Sequence, residues 1–257
     1  MEKINLEQKI DFIIRDKYSG KPNRKLLADV KRLKSGEPLD YIIGWTPFLN
    51  CKIDLSQKPL IPRSETEFWT EAAVKEISAG KWPKKIKVLD IFSGSGCVGI
   101  AILKACPELV ERVDFSETDP KLVKQIKINL KLNKISPKRY RIMRSDIFKN
   151  VRETYDFILA NPPYVAGNRI SRKVIKYEPK KALWGGKKGM EIIKNFLKQA
   201  PEHLRLGGHI YMEFSPEQKR AIAKLIKTLG RGWKETFHKD QSRRWRWVAV
   251  KRDQGLL

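Results

Sequence analysis

Cysteine, histidine and acidic residues are all scarce in this chain of 257 residues. Its three cysteines, Cys51, Cys97 and Cys106, are scattered and have neither a paired spacing nor a nearby histidine. This pattern disfavours a disulfide framework and a zinc site, and it is typical of a protein kept reduced in the cytoplasm. We therefore expect a cytoplasmic protein whose chemistry needs no metal.

Long apolar runs are also missing. No stretch approaches the roughly 20 apolar residues that a membrane-spanning helix needs. Residues 1–7 are charged from the second position onward and lack the apolar core of a signal peptide. The sequence therefore predicts neither a membrane span nor a leader.

Positive charge, in contrast, is abundant. The chain has 54 Lys and Arg against 29 Asp and Glu, a net charge of +25, which favours solubility and attraction to polyanions such as RNA or the ribosome. A general bias towards lysine is an alternative explanation of this net charge. Five lysines fall on one face of a predicted helix, where a solvated surface is the favoured interpretation. They are Lys121, Lys124, Lys127, Lys131 and Lys134.

The order of apolar patterns divides the chain into three parts. Residues 1–38 have helical spacing, residues 39–62 have short β-like runs broken by glycine and proline, and residues 63–257 alternate strands with helices. We expect a small helical N-terminal domain, a β-hairpin linker and a main domain. The predicted elements of the main domain are helix 64–79, strand 86–91, helix 98–105, strand 112–118, helix 120–133, strands 139–143 and 155–160, helix 189–203, strand 208–214, helix 216–229 and strand 244–251.

Such alternation predicts an α/β fold with a doubly wound, mostly parallel, Rossmann-like sheet. The Arg243-Arg244-Trp245-Arg246-Trp247 segment interleaves cations with aromatics, as platforms for single-stranded nucleic acid do. Its alternation is better explained as a terminal strand with one buried face.

A turn of small residues follows the first strand of the predicted sheet. In doubly wound sheets this turn lies beside a bound nucleotide, and glycines at 94, 96 and 99 also satisfy the spacing of a dinucleotide site. Asp90, inside the strand, would repel a pyrophosphate, which favours S-adenosylmethionine, a cofactor without phosphate. The predicted contacts of this turn with the cofactor are Phe92, Ser93, Gly94, Ser95 and Gly96.

Carboxylates follow the next two strands. Asp119 is placed to accept hydrogen bonds from both ribose hydroxyls, with Glu117 as its rival, and it also fits the N-cap of a helix that starts at Pro120. Asp146 is placed to accept from the adenine amine, with Ile147 packed on the ring; a turn-forming aspartate is the alternative.

Asn161-Pro162-Pro163-Tyr164 directly follows an apolar run that predicts a buried strand, residues 155–160. The prolines fix φ and remove two backbone donors, so the segment presents acceptors in a stiff geometry. The Asn161 amide oxygen and the Pro162 carbonyl suit the two hydrogens of a planar NH2 group, which Tyr164 can cover by stacking. These residues, Pro163 included, are the predicted catalytic and substrate-binding segment, and Asn161 also borders the cofactor. The segment alone leaves a nucleobase amine and a protein amide equally open, and a plain loop is the third interpretation.

Several segments occur in an order that is far more specific than any of them singly. Together they resemble the HemK-type glutamine methyltransferases of peptide chain release factors, and the similarity covers nearly the whole chain. Three positions depart from the family pattern: Phe92 replaces the usual first glycine of the loop, Ser64 a proline, and Ile147 a tryptophan. The segments are Pro62-Arg63-Ser64-Glu65-Thr66-Glu67, residues 90–96, Asn161-Pro162-Pro163-Tyr164, and Tyr177-Glu178-Pro179 with Ala182, Leu183 and Gly186.

The resemblance implies methyl transfer from S-adenosylmethionine to the side-chain amide nitrogen of the glutamine in the Gly-Gly-Gln motif of a class I release factor, leaving S-adenosylhomocysteine. It also implies that Arg63, Thr66 and Glu67 lie near the mouth of the site and that Glu178 shapes the glutamine pocket. Ser64 and Glu67 also have capping-box spacing, and Glu178 could simply pair with a lysine. The alternatives are a methyltransferase acting on an exocyclic amine of DNA or RNA and a noncatalytic nucleic-acid-binding protein.

Overall fold

The structure, a computed structural model, describes residues 4–253, with the side chains of residues 172 and 173 left out of that description. Its N-terminal part is helical. The first helix begins with a capping box, because Asn5 Oδ1 accepts from Gln8 N and Gln8 Oε1 accepts from Asn5 N, both at 2.9 Å. A small apolar cluster of Ile13, Leu33 and Ile42 joins the three helices of this part. They are α1 (Leu6–Tyr18), α2 (Leu26–Lys34) and α3 (Leu39–Ile43).

A seven-stranded sheet follows an antiparallel hairpin of β1 (Trp45–Phe48) and β2 (Cys51–Asp54). The spatial order is β5-β4-β3-β6-β7-β9-β8; the first five strands are parallel, and β9 and β8 are antiparallel to their neighbours. The doubly wound, mostly parallel fold predicted from the sequence is confirmed. The strands are β3 (Ile86–Ile91), β4 (Val110–Glu117), β5 (Tyr140–Arg144), β6 (Tyr155–Ala160), β7 (Leu204–Glu213), β8 (Trp233–Lys239) and β9 (Trp245–Arg252).

Helices cover both faces of the sheet, so its central strands are buried on both sides and are continuously apolar in sequence. One core layer contains Val88 of β3 with Trp69 and Phe115, and the other contains Leu89 of β3 with Phe196. The helices of this region are α4 (Ser64–Ala79), α5 (Cys97–Ala105), α6 (Pro120–Leu132), α7 (Arg172–Ile175), α8 (Lys180–Leu183), α9 (Glu191–His203) and α10 (Lys219–Lys227).

The hairpin is fastened to α6 by side chains of that helix. Asn129 Oδ1 accepts from Asp54 N at 2.7 Å, and Gln125 Oε1 accepts from Gln57 N at 2.8 Å. The hairpin therefore packs on a helix that covers the main sheet.

The five lysines predicted to share one helix face, at positions 121, 124, 127, 131 and 134, are exposed.

The sequence prediction missed strand β8 and the short helices α7 and α8, and it misplaced some ends. Helix α3 lies in residues that were predicted as part of the β-hairpin linker. Strand β8 was not predicted, because it forms the sheet edge and none of its residues is fully buried. The predicted helix 216–229 is a 3₁₀ turn, Pro216–Gln218, followed by α10. The predicted divisions after residues 38 and 62 stay predictions. Across residues 4–253, no helix is both long enough and apolar enough to cross a membrane.

Candidate active site

A cavity of about 270 Å³ lies at the carboxyl ends of β3, β4 and β6. Doubly wound sheets bind ligands at this edge, and the volume is near the lower end of the ~300–1,000 Å³ typical of small-molecule sites. Most of the predicted site residues border this one cavity. They are Arg63, Phe92, Ser93, Gly94, Ser95, Asp119, Asp146, Ile147, Asn161 and Pro163.

The loop after β3 turns sharply back into α5. Gly94 and Gly96 have φ of 54° and 79°, and an added Cβ at Gly96 would lie 3.3 Å from Ile126. Phe92 also has a positive φ, 61°, which is uncommon for a bulky residue and suits the glycine of the family pattern. The Phe92 ring packs against the Phe196 ring, with 5.9 Å between the ring centroids. Phe92 thus adopts the loop conformation expected of glycine and adds its side chain to the core.

Asp90, inside β3, joins that strand to α5. Its Oδ2 accepts from Gly99 N at 2.9 Å. Complete burial raises the pKa of the Asp90 carboxyl well above its usual range, and the nearby Glu117 adds to the rise. Asp90 borders the cavity, and Glu117 borders it as well.

The two rival carboxylates at the end of β4 have different partners. Glu117 is buried, and its Oε2 accepts from Gly94 N and its Oε1 from Asp119 N, each at 2.9 Å. Burial raises the pKa of Glu117. Asp119 is the N-cap of α6, with Oδ1 accepting from Lys121 N at 2.8 Å, as predicted. Both residues border the cavity, but Glu117 is tied to the glycine loop and Asp119 to the helix.

Asp146 and Ile147 follow β5. Asp146 is exposed and Ile147 is buried with a φ of 48°. The Ile147 carbonyl accepts from Ser116 Oγ at 2.9 Å and from Ser145 Oγ at 3.0 Å. These two hydroxyls hold the turn against β4, so the apolar side chain and the carboxylate reach the same cavity.

The Asn-Pro-Pro-Tyr segment directly follows β6. Asn161 Nδ2 donates to Thr66 Oγ1 of α4 at 3.0 Å, and both residues border the cavity. Pro162 is buried and Pro163 borders the cavity. The Tyr164 hydroxyl turns into the core and donates to Glu213 Oε1 at 2.8 Å, and burial raises the pKa of Tyr164 well above its usual range.

Arg63 and Glu178 form a bridge beside the cavity. Arg63 Nη2 lies 2.7 Å from Glu178 Oε1 and 2.8 Å from Oε2, and Ile61 N donates to Glu178 Oε2 at 3.2 Å. Glu178 is buried and pairs with this arginine, so the alternative of a lysine partner is wrong. The bridge joins the linker to the segment that follows the Asn-Pro-Pro-Tyr residues.

Glu67 faces the hairpin and does not cap α4. Its Oε1 accepts from Leu49 N. Helix α4 begins at Ser64, so Arg63 occupies the N-cap position, without a side-chain cap, and Ser64 Oγ donates to Glu65 Oε2 at 3.1 Å. The capping-box interpretation of Ser64 and Glu67 is wrong, because Ser64 is already the first helical residue.

Sequence reasoning missed two residues of this region. Glu213 ends β7 as a lone acid after the apolar residues 210–212, and that signal was available. Trp184 borders the cavity with 48 % of its surface exposed; an isolated tryptophan in a loop gives no comparable signal. Across residues 4–253, no group of three or more His, Cys, Asp or Glu side chains is arranged to hold a metal ion.

A glycine loop after β3, acids after β4 and an Asn-Pro-Pro-Tyr segment after β6, on a mostly parallel seven-stranded sheet, define a Rossmann-like class I methyltransferase. Residues 70–183 match the family model "Methyltransferase small domain". The chain is also 32% identical over 232 residues to the release factor glutamine methyltransferase of Lactococcus lactis subsp. lactis (strain IL1403), with 88% of this chain and 82% of that protein covered. The protein belongs to the release factor glutamine methyltransferase family.

Another relative supports this assignment, and solved structures support the fold. The release factor glutamine methyltransferase of Borreliella burgdorferi is 33% identical over 222 residues, covering 84% of this chain and 75% of that protein. A methyltransferase from Pyrococcus furiosus has a TM-score of 0.59 at 18% identity, covering 88% of this chain and 98% of its own. The ribosomal protein L11 methylase of Lactobacillus delbrueckii subsp. bulgaricus has a TM-score of 0.57 at 17% identity, covering 78% and 84%.

Proposed function

We propose that the protein transfers the methyl group of S-adenosylmethionine to the side-chain amide nitrogen of the glutamine in the Gly-Gly-Gln motif of a class I peptide chain release factor. The observation that carries the proposal is the place of Asn161 and Pro163 in the wall of the cavity that the glycine loop also borders. A methyl donor and an NH2 acceptor can therefore meet there. Family membership favours a protein glutamine over a nucleobase as the acceptor.

The residues of the cavity wall fit S-adenosylmethionine. Bound there, the cofactor supplies an electrophilic methyl group on a sulfonium. The glycine loop allows close approach to the backbone, Ile147 offers an apolar surface for adenine, and Asp146 an acceptor for the adenine amine. Two carboxyl groups, those of Asp90 and Glu117, border the cavity and suit a ligand without phosphate better than a dinucleotide.

Glu117 is our stronger candidate for the ribose hydroxyls. It ends β4, is buried in the cavity wall and is held by two backbone N–H groups. Asp119 already accepts a hydrogen bond from the first turn of α6. A buried carboxylate held in one orientation in the cavity wall can still accept from the ribose hydroxyls, whereas the Asp119 carboxylate is directed towards the first turn of α6.

Methyl transfer to an amide nitrogen depends mainly on how that nitrogen is positioned. An amide nitrogen is a poor nucleophile because its lone pair is delocalised, and holding it at ~3–3.5 Å from the methyl carbon contributes several kcal/mol to lowering the barrier. We propose that Asn161 Oδ1 and the Pro162 carbonyl accept the two amide hydrogens and favour the positive charge that develops on the nitrogen. The proton then leaves to water.

The rim of the cavity is the part of the site nearest to the protein substrate. The Arg63–Glu178 bridge joins the start of α4 to the segment after Tyr164, and Lys181 and Trp184 border the cavity. We propose that this rim receives the Gly-Gly-Gln loop of the release factor. Contact of RNA or the ribosome with the exposed lysines of α6 is a separate proposal, which rests on charge alone.

A side-by-side transfer assay tests this function. Methyl-labelled S-adenosylmethionine is incubated with the protein and either release factor, rRNA or DNA, and cofactor binding is measured in parallel. We expect label in the release factor only. Label in rRNA or DNA would contradict the proposed substrate, and an absence of cofactor binding would support a noncatalytic nucleic-acid-binding protein.

A further inference from the structure

Glu213 lies at the carboxyl end of β7, beside the Asn-Pro-Pro-Tyr segment, and is 1 % exposed. Its carboxylate receives three donors. Thr66 Oγ1 and Trp69 Nε1 donate to Oε2 at 2.7 and 2.8 Å, and the Tyr164 hydroxyl donates to Oε1 at 2.8 Å. A buried acid with this many protein partners is firmly oriented.

The Thr66 hydroxyl has one proton, and that proton is used on Glu213. Towards Asn161, therefore, Thr66 Oγ1 can only accept. The group 3.0 Å away is Asn161 Nδ2, a donor, so each bond in the series has a fixed direction. The series runs from the asparagine NH2 group to the threonine hydroxyl to the glutamate carboxylate.

This direction determines which end of the Asn161 amide faces a substrate. A primary amide can rotate by half a turn at almost no steric cost, which exchanges its acceptor oxygen for its donor nitrogen. A rotated Asn161 would present NH2 to the NH2 of the acceptor glutamine. Because Nδ2 is committed to Thr66, Oδ1 is left for the cavity.

We propose that Thr66 and Glu213 are positioning residues that hold the Asn161 amide in the one orientation able to accept a hydrogen bond from the substrate nitrogen. The inference rests on the proposed function, since it concerns an NH2 group as the acceptor. Neither residue needs to touch the substrate. They act through Asn161, from α4 and β7, which lie 95 and 52 residues from it in sequence.

Thr70 offers a matched control. It lies one turn after Thr66 on α4, is also fully buried, and its Oγ1 donates to the Thr66 backbone carbonyl at 2.7 Å. Thr66→Val and Thr70→Val each remove one buried hydroxyl while keeping the shape of the side chain. Only the first change removes the partner of Asn161. Thr66→Ser restores a hydroxyl at the same place.

The experiment measures kcat, KM for the release factor, the S-adenosylmethionine dissociation constant and Tm for these variants. We expect Thr66→Val to lower kcat by roughly 10- to 100-fold, because a misplaced group in the site costs about this much. Its cofactor dissociation constant stays within about twofold, and Thr66→Ser recovers most of the kcat. Thr70→Val lowers Tm by a similar amount but keeps kcat within about twofold.

Equal kcat values for Thr66→Val and Thr70→Val would overturn the inference, as would a loss in Thr66→Val that Thr66→Ser does not recover. Thr66→Ala and Thr70→Ala form a second pair with the same expectation, should Thr66→Val not fold. Wild-type transfer to the release factor is measured first. Its absence would contradict the proposed function, whereas a failed difference between the variants would contradict only the positioning role.

Discussion

The two halves of the cavity are held together in different ways. In the half that we propose binds the cofactor, three bonds that shape the loop span at most 23 residues: Gly96 N donates to the Ser93 carbonyl at 2.7 Å, Gly99 N to Asp90, and Gly94 N to Glu117. In the half that we propose binds the acceptor amide, Thr66 forms hydrogen bonds with Asn161, 95 residues away in sequence, and with Glu213, 147 residues away. The cofactor half is therefore built mainly from β3, its loop and α5. The hydrogen bonds of the acceptor half form only when α4 packs on β6 and β7. Changes in the two halves should therefore affect different steps.

The largest expected effect is in the acceptor half. Asn161→Ala removes the proposed acceptor of the substrate hydrogens, and we expect turnover to fall by roughly 10²- to 10³-fold, the range seen when one transition-state hydrogen-bonding group is removed. Cofactor binding, measured by calorimetry, should change little. Retained turnover would contradict the proposed mechanism. A loss of cofactor binding of similar size would show that Asn161 serves both halves of the cavity.

The next effect tests the cofactor half. Glu117→Gln removes a charged acceptor from the end of β4, and we expect the cofactor dissociation constant to rise about 10- to 150-fold, since hydrogen bonds to charged groups contribute about 1.5–3 kcal/mol. Asp119→Asn preserves an N-cap side chain and should have a smaller effect. The reverse order of the two affinities would restore Asp119 as the ribose ligand. The turnover of Glu117→Gln at saturating cofactor should remain close to that of the wild type.

Gly99→Ala tests how tightly the loop unit is packed. An added Cβ would lie 2.5 Å from Phe115 Cε1 and 2.8 Å from Cζ, so the helix must move away from β4. We expect the free energy of unfolding in urea to fall by about 1–3 kcal/mol, the usual cost of overpacking a core. Gly232→Ala is the control, because an added Cβ there meets nothing within 4 Å. Equal stability of the two variants would show that α5 can shift freely.

The smallest expected effect concerns an ion-pair cluster outside both halves of the cavity. Arg32 and Lys58 donate to Glu37 at 2.7 and 2.8 Å and lower its pKa to about 2. Because folding lowers this pKa, the ionised carboxylate stabilises the protein above about pH 4.5, and that contribution is lost as the pH falls towards about 2.

Glu37→Gln should therefore lower the free energy of unfolding by about 1 kcal/mol at pH 7, with a smaller difference from wild type at pH 3 when both are measured in urea. Turnover and cofactor affinity should be unaffected at pH 7. A difference that grows at low pH would contradict the assigned direction of the pKa shift.

The same contrast explains what the sequence could predict. The bounds of α4, β3 and β6 and the N-cap at Asp119 depend on nearby residues, so local patterns were sufficient. The lone acid Glu213 after residues 210–212 is visible in the sequence, but its donors come from distant segments, so no local pattern predicts the network around it. Strand β8 was missed because an edge strand buries too little to show a clear alternation. The capping box at Ser64 failed because Ser64 is already the first residue of α4, and Glu67 accepts from the Leu49 amide instead.

The most direct test of the proposed glutamine methylation is to locate the methyl group itself. Release factor treated with the wild-type protein and S-adenosylmethionine is digested, and its peptides are analysed by mass spectrometry. We expect one added methyl on the glutamine of the Gly-Gly-Gln peptide, and none when Asn161→Ala replaces the wild type. A methyl group on another residue, or an unmodified release factor beside methylated rRNA or DNA, would contradict the assignment of the acceptor.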